Sequence, residues 1–534
     1  MPVRDLRSVS PDAPLEADFC VVGSGPAGAA IALELAQTNA RVLLVESGGL
    51  KRDAETDALN EVENVGWPRV SDQWLVRNRM LGGTSNTWAG RCVTFDRIDY
   101  QRRDWVPHSG WAVGPDELQP YVARSALYLG LVADIAADDE RFRRDVRTSD
   151  VDEKLFSPCV WQFSRIAGKP DQSVNSAGQL MASKAHNLDI ILNATATHVS
   201  LNDAGSAVSS IDVRSADGTP HKISAPHVIL AAGGIENARL LLASNRSQSC
   251  GVGNKHGLVG RFLMDHLKGV VGCFDPDVAR SLGFWFGQYF IKDVLGNHRT
   301  LRGLRLSPDI QRAEGLLNCA AFVDEHEHIA ADDPWLALKR LLRGKRPQVQ
   351  DAVNVTSNLV FMGRGLGQRF VHKRALPRKL QKLELKCIVE QQPDPDSRVT
   401  LSDRVDRFGV PLSRIDWKVN EREQRTIKAT AKLLRSEFAR LQLDLNLDDW
   451  VRDDQNLPED FRDIAHPTGT TRMSADPGSG VVDPDCQVHG VCGLFIAGSS
   501  VFPTSGHANP TQMAVALAIR LADALKKRIN SPSS

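Results

Sequence analysis

The segment from Ala17 to Glu46 constrains this chain more than any other. Ala17-Asp18-Phe19-Cys20-Val21-Val22 reads as a short buried strand, and Gly23-Ser24-Gly25-Pro26-Ala27-Gly28 follows it. Ala29 to Ala36 is rich in helix formers, and Arg41-Val42-Leu43-Leu44-Val45 reads as a second strand that ends at Glu46. Strand, glycine loop, helix, strand and acid together form the βαβ unit that holds a dinucleotide. Gly23 permits the tight turn, Gly25 lets backbone approach a pyrophosphate, and Gly28 lets helix and strand pack closely. The helix N-terminus offers free N–H groups and partial positive charge to phosphate. Glu46 is placed to accept hydrogen bonds from ribose hydroxyls. The unit alone does not separate NAD from FAD.

Composition narrows the class. Among 534 residues, 42% are hydrophobic, and 65 Lys and Arg balance 65 Asp and Glu. A neutral chain of this kind is neither a nucleic-acid coat nor disordered. No run of apolar residues is long enough to cross a bilayer, and the first residues lack the apolar stretch of a signal peptide. Nine cysteines are scattered from Cys20 to Cys492 without a CxxC pair. That pattern fits reduced thiols in a cytoplasmic protein, with no disulfide framework, zinc site or iron–sulfur cluster.

Three further segments carry a resemblance. The first is Met80-Leu81-Gly82-Gly83-Thr84-Ser85-Asn86-Thr87-Trp88-Ala89-Gly90-Arg91. The second runs from Val228 through Ala231-Ala232-Gly233-Gly234-Ile235-Glu236-Asn237-Ala238-Arg239, with Val259-Gly260-Arg261-Phe262-Leu263-Met264-Asp265-His266 after it. The third is His466-Pro467-Thr468-Gly469-Thr470-Thr471-Arg472-Met473, then Ala497-Gly498-Ser499-Ser500 and Asn509-Pro510-Thr511. With the N-terminal unit these resemble the glucose–methanol–choline (GMC) family of flavin oxidoreductases, in its bacterial sugar- and glycoside-oxidising form. The matches keep the family's order, while about 270–385 carries none of its motifs.

The resemblance implies an α/β protein, α+β overall: a discontinuous Rossmann-like FAD-binding domain with an inserted antiparallel-sheet substrate domain. The FAD-binding domain is expected from 15–120, 186–265 and 460–530, the substrate domain from 266–459, and a connecting or lid region from 121–185. Ile190 to Val199 and Val228 to Ala231 read as strands rejoining the nucleotide sheet. Arg398 to Leu401 and Ser413 to Trp417 read as strands of the inserted sheet, with a helix over 421–441 beside them.

The resemblance assigns His466 as the base that takes the substrate's hydroxyl proton, a role suited to neutral imidazole near working pH. It assigns Asn509 as the group that orients that hydroxyl. Asn509 followed by Pro510 and an apolar helix from Met513 is also the signature of an N-cap with Pro at N1. Gly83, Thr84, Asn86, Ala196, Gly498, Ser499, Pro510 and Thr511 are expected beside the cofactor. Some relatives bind flavin covalently through a histidine where this chain has Thr87, so non-covalent FAD is expected. Ala497 stands where the family often has Asp. His507 is a rival polar group, read here as a surface-loop histidine; His266 and His489 are read as structural.

Between 339 and 386 thirteen Lys and Arg meet only Asp351 and Glu384. The segment reads as a solvated helical surface; the sharper alternatives are a docking surface for an acidic or electron-accepting protein or a second copy, an acidic lipid surface, or an entry path for anionic substrates. The aromatic run Ser281 to Phe290 reads as a core strand, or else as a pocket wall. The expected activity is oxidation of a CH–OH group by hydride transfer to flavin, on a sugar, glycoside or polyol. The alternatives are a hydrophobic or aromatic alcohol, a biosynthetic intermediate, or a flavin lyase without redox turnover.

Overall fold

Strands that are apolar without alternation need cover on both faces, and a parallel sheet provides it. In the computed structural model Phe19–Val22, Val42–Val45 and Leu494–Ile496 are buried at every position. They belong to a six-stranded parallel sheet in the order Val3–Asp5, Leu188–Leu192, Val42–Val45, Phe19–Val22, His227–Leu230, Leu494–Ile496. The structure describes residues 2–70, 73–132, 151–166, 169, 172–283, 285–293, 296–327, 333–343, 348–371, 376 and 379–530. Among these, no helix is long and apolar enough to cross a membrane, and the nine cysteines are free thiols.

The helix Pro26–Leu35 follows the first glycine loop, with Pro26 at its first turn. The C-terminal helix Thr511–Asn530 packs on it and on Pro115–Leu129. Ala30, Ala126, Leu129, Val515 and Ile519 form their shared core. This packing draws the last residues of the chain onto the face where the first βαβ unit begins.

The run from Ile190 to Val199 is not one strand of the nucleotide sheet. Asn193 takes a left-handed φ of 54°, a conformation that Asn tolerates better than branched residues. Its N–H donates to Gly48 O and its Nδ2 to Asp5 Oδ2. The chain therefore bends there, and Ala194–Leu201 enters a separate four-stranded sheet with Val208–Ser215, Pro220–Ser224 and Leu15–Glu16. The nucleotide sheet also begins earlier than residue 15, because Val3–Asp5 pairs with Leu188–Leu192.

The inserted unit is a nine-stranded sheet, antiparallel at every pairing. Leu267–Phe274, Leu380–Val389, Cys319–Glu327 and Gly296–Leu306 form its middle. Phe156–Phe163 and Arg91–Cys92 extend one side of it, so strands from the supposed connector and from the glycine-rich segment complete the substrate sheet. Residues 133–150 of that connector lie outside the described residues. Arg398–Val405 and Pro411–Asp416 do pair antiparallel, but in a three-stranded sheet with Val62–Asn64. The helix Glu421–Arg440 buries Ile427, Ala431, Leu434 and Phe438. Trp285 and Phe286 pack on Phe438, which places this part of the aromatic run in the core; Phe284 lies outside the described residues.

The basic segment forms the helices Pro334–Arg343, Val349–Ser357 and Leu359–Val371 and the strand Leu380–Val389. Arg340 pairs with Asp351, and Lys382 and Lys386 pair with Glu384. Lys345, Arg346, Lys373, Arg374 and Arg378 lie outside the described residues. Leu359, Leu366 and Phe370 are exposed on the last of these helices, so this surface is apolar as well as basic.

One buried ion pair links the loop after the glycine-rich segment to the inserted sheet. Arg103 donates to Glu390 through both terminal nitrogens, at 2.8 and 2.5 Å, and both side chains are almost fully buried. Glu390 also accepts the N–H of Asn318. Removing one partner of such a pair leaves the other charged and dry. Arg103→Met should therefore destabilise the protein by about 3–5 kcal/mol, read as a lowered Tm; an unchanged Tm would contradict this role.

Candidate active site

The loops that leave the carboxyl ends of the parallel strands converge on one cavity, where open α/β sheets place their ligands. Its volume is about 570 Å³. Gly23 to Ala27 follow Phe19–Val22, Glu46 and Ser47 follow Val42–Val45, Ala231 to Glu236 follow His227–Leu230, and Ala497 to Ser499 follow Leu494–Ile496. Gly83 to Ser85 and Thr87 to Arg91 cover one side, and Lys268 and Ile388 of the inserted sheet close the far wall. His466, Asn509, Pro510 and Thr511 bring the C-terminal segment to the same space. Ala196 lines it from the four-stranded sheet.

The first loop answers to its glycines. Gly23 has φ +102°, and a Cβ there would lie 2.7 Å from Ala231 O. A Cβ on Gly28 would lie 1.9 Å from Gly23 O. Gly25 differs, because a Cβ on it would meet no protein atom within 4 Å. The space in front of Gly25 is cavity, which is what close approach by a ligand's pyrophosphate requires. Glu46 is buried, accepting Ser24 N–H and Oγ–H on one oxygen and Gly48 N–H on the other. Burial raises its pKa against those hydrogen bonds and nearby Arg79. Each carboxylate oxygen has lone pairs beyond these bonds, so Glu46 keeps acceptor capacity toward the cavity.

Ser24 also ties two motifs together, since its Oγ accepts the N–H of Gly82. Thr84 lines the cavity, but Asn86 does not. The Asn86 amide donates to Leu81 O and Gly83 O, and its oxygen accepts from Asn175. Asn86 therefore shapes the loop from behind, and the cofactor contact expected of it is withdrawn. Thr87 donates to Asn78 Oδ1 at 2.7 Å. Arg77, Arg79 and Arg239 all bond Glu236. The three arginines hold Glu236 down at about 2 despite burial. This network fixes the approach to the glycine-rich loop from a residue whose motif was legible but whose partners were not.

The catalytic candidates are joined by one chain of hydrogen bonds. His266 Nε2 lies 2.8 Å from Gly506 O. A carbonyl only accepts, so His266 Nε2 carries a proton and, in the neutral ring, Nδ1 is bare. His266 Nδ1 lies 3.0 Å from His466 Nδ1, which must then be the donor. His466 Nε2 is left as a lone pair, and Asn509 Nδ2 points to it at 3.4 Å. Burial pushes His266 down to about 4. Burial pushes His466 well below the usual histidine range, with His266, Arg91 and Lys268 adding to the effect. Both rings are therefore neutral near pH 7.

Below the ring, Asp265 accepts the backbone N–H groups of His466 and His266. Arg69 bridges Asp265 at 3.0 Å and Asp463 at 3.1 Å, with all three side chains buried. The two carboxylates flanking one guanidinium lock the turn that carries His466. Ser499 Oγ donates to Pro467 O on its other side.

Asn509 does not act as a side-chain cap. Its helix begins at Thr511, and its buried Oδ1 has no hydrogen-bond partner. An orphaned acceptor at the cavity wall, beside an amide that meets His466, suits a bound hydroxyl rather than a helix end. His507 is not a surface histidine. Its ring is fully buried, 3.5 Å from Asp96 Oδ2 and edge-on to Trp161, and it does not line the cavity. His266 is more than structural in effect, because it sets the protonation of His466. His489 Nε2 donates to Ser474 O and its backbone N–H to Val481 O, away from the cavity. Arg91 and Lys268 lie on the cavity wall without having been singled out; Arg91 closes the glycine-rich motif, whereas nothing in the pattern marked Lys268.

These residues fit a flavin dinucleotide: the open face of Gly25, the acceptor Glu46 and the orphaned Asn509 oxygen line one continuous cavity. The family model described as GMC oxidoreductase matches in two parts, residues 21–268 and 393–518. The chain is 25% identical to the 2-methyl-1,2-propanediol dehydrogenase of Mycolicibacterium austroafricanum, over 96% of each chain. It is 23% identical to the fructose dehydrogenase large subunit of Gluconobacter japonicus, over 96% of this chain and 98% of that one. A formate oxidase structure shares the fold with a TM-score of 0.58 at 19% identity, covering 97% of this chain and 99% of the other.

Gly25→Ala separates folding from cofactor binding. Its φ of −61° suits any residue and its Cβ has room. The variant should keep the apoprotein's Tm yet purify with little or no FAD. Full flavin content would refute the cradle.

Proposed function

Since the chain belongs to the GMC oxidoreductase family, whose members here are FAD-dependent oxidoreductases of CH–OH groups, we propose that it oxidises a sugar, glycoside or polyol with His466 as base. The observation that carries this reading is the bare Nε2 of His466, held toward the cavity by His266 and met by Asn509. The diol and the fructose in the names of two relatives support a polyhydroxylated substrate.

His466 Nε2 takes the hydroxyl proton of the substrate, and the C–O bond becomes a carbonyl as the carbon loses its hydrogen with two electrons. Bound FAD supplies the acceptor for that hydride. Asn509 donates to the substrate oxygen and, through its free Oδ1, accepts from a second hydroxyl. An amide is no base at neutral pH, so the proton goes to the imidazole. The charge that then forms on His466 is steadied through Nδ1–H on His266, and Gly506 O anchors the far end. The Asp265–Arg69–Asp463 cluster holds the histidine's backbone and keeps its ring from drifting, which matters because misplacement by about 1 Å can cost a hundredfold in rate.

The free thiols support a reducing compartment, in keeping with a cytoplasmic location. Thr87 cannot form a histidyl–flavin bond and is already donating to Asn78, which supports FAD held without a covalent link. Acid precipitation should release the FAD into the supernatant; yellow colour retained in the pellet would refute this.

His466→Ala should retain flavin while the anaerobic rate of flavin reduction by a substrate alcohol falls by about two to four orders of magnitude. Near-normal reduction would place the base elsewhere. The base works above its pKa and fails below it. Because burial, His266, Arg91 and Lys268 all push His466 down, the acid limb of kcat/KM should lie below the ordinary histidine value of about 6.5. An acid limb above that value would contradict the assignment.

A further inference from the structure

Arg91 and Lys268 stand on the cavity wall formed by the inserted sheet, and both act on His466. Arg91 sits on the edge strand Arg91–Cys92, and its guanidinium lies in the corner made by the rings of Trp161, at 4.1 Å, and Phe322, at 4.2 Å. Nε and Nη2 of Arg91 are buried without a hydrogen-bond partner. Lys268 follows His266 by two positions on the strand Leu267–Phe274. Neither side chain makes an ion pair among the described residues.

The neighbouring cations are treated differently. Lys386, across the same sheet, is paired with Asp324 at 2.7 Å and with Glu384 at 3.2 Å. The Cys159 thiol and, after it, the Asp324 carboxylate act on Arg91, and Asp324 is committed to Lys386. Arg69, also on the cavity wall, is held by two carboxylates. A dry, unpaired cation is costly to fold, and the fold has neutralised those around Arg91 and Lys268 but not these two. The two adjoining rings steady the guanidinium without neutralising it, and a planar guanidinium is the group that matches carboxylate or phosphate oxygens.

We propose that the substrate is an anionic alcohol, whose carboxylate or phosphate is bound by Arg91 and Lys268 while its hydroxyl faces His466 and Asn509. This rests on the reading of His466 as the base. Within the sugar and polyol class it selects sugar acids or sugar phosphates over their neutral counterparts. The redox step is unchanged: the hydroxyl proton goes to His466, the hydride to FAD, and the anionic group is neither made nor broken.

The test is anaerobic flavin reduction with matched donors: D-glucuronate and D-glucose 6-phosphate each against D-glucose, and D-gluconate against D-glucitol. At least one anionic donor should exceed its neutral partner by about a hundredfold in reduction rate over Kd. The carboxylate and phosphate arms identify which group the guanidinium takes. In Arg91→Met and Lys268→Met, each verified by flavin content, that preference should shrink about tenfold or more. Equal or reversed preference in the native protein overturns the proposal and leaves the alcohol chemistry standing. A variant that slows neutral and anionic donors alike also overturns it, because the cations would then serve the flavin. If no donor of either class reduces the flavin, both this proposal and the oxidation reading fall.

Discussion

A hydrogen bond between two imidazoles, His266 to His466, is the contact on which the rest of the site depends. It joins residues two hundred positions apart in the chain, and its sense is dictated by an acceptor that has no alternative, the carbonyl of Gly506. Once that carbonyl takes the proton of His266, every later donor and acceptor is assigned, ending at a free lone pair over the cavity. Burial keeps the chain neutral, since a second proton on either ring would sit in a dry site beside Arg91 and Lys268. The same burial that lowers basicity thus preserves the bare nitrogen that a base must offer.

The fold exists to bring those distant segments together. Parallel strands buried on both faces need helices above and below, so successive strands are separated by long excursions. One excursion is the inserted antiparallel sheet, which returns Leu267–Phe274 beside the nucleotide loops. The C-terminal helix docks on the first helix and delivers Asn509 and the turn at Gly506. Buried charge clusters hold the joints: Arg69 between Asp265 and Asp463, Glu236 among three arginines, and Arg103 on Glu390. Each is weak evidence for net stability, yet each makes one geometry much better than its neighbours.

Much of this was legible in the sequence where backbone conformation demands a residue type. Gly23 and Gly28 occupy positions where any side chain would collide with backbone, and such demands leave glycines at fixed spacing. His466 and Asn509 were legible through resemblance, because their motif survives in order. What was not legible came from tertiary pairing. The kink at Asn193 splits an apparently continuous strand between two sheets, and local alternation does not reveal it. Asn86 looked like a cavity residue because its loop is one, but its amide is turned into the turn itself. His507 looked exposed among small loop residues and is instead covered by Trp161 and Asp96. Arg91 and Lys268 gain meaning only when the inserted sheet places them together without an acid.

The central claim is a protonation pattern, and neutron diffraction from crystals of the FAD-bound protein near pH 7 observes it directly. Hydrogen is expected on His266 Nε2 and on His466 Nδ1, with none on His466 Nε2. A hydrogen on His466 Nε2, whether in the other tautomer or in a doubly protonated ring, would contradict it.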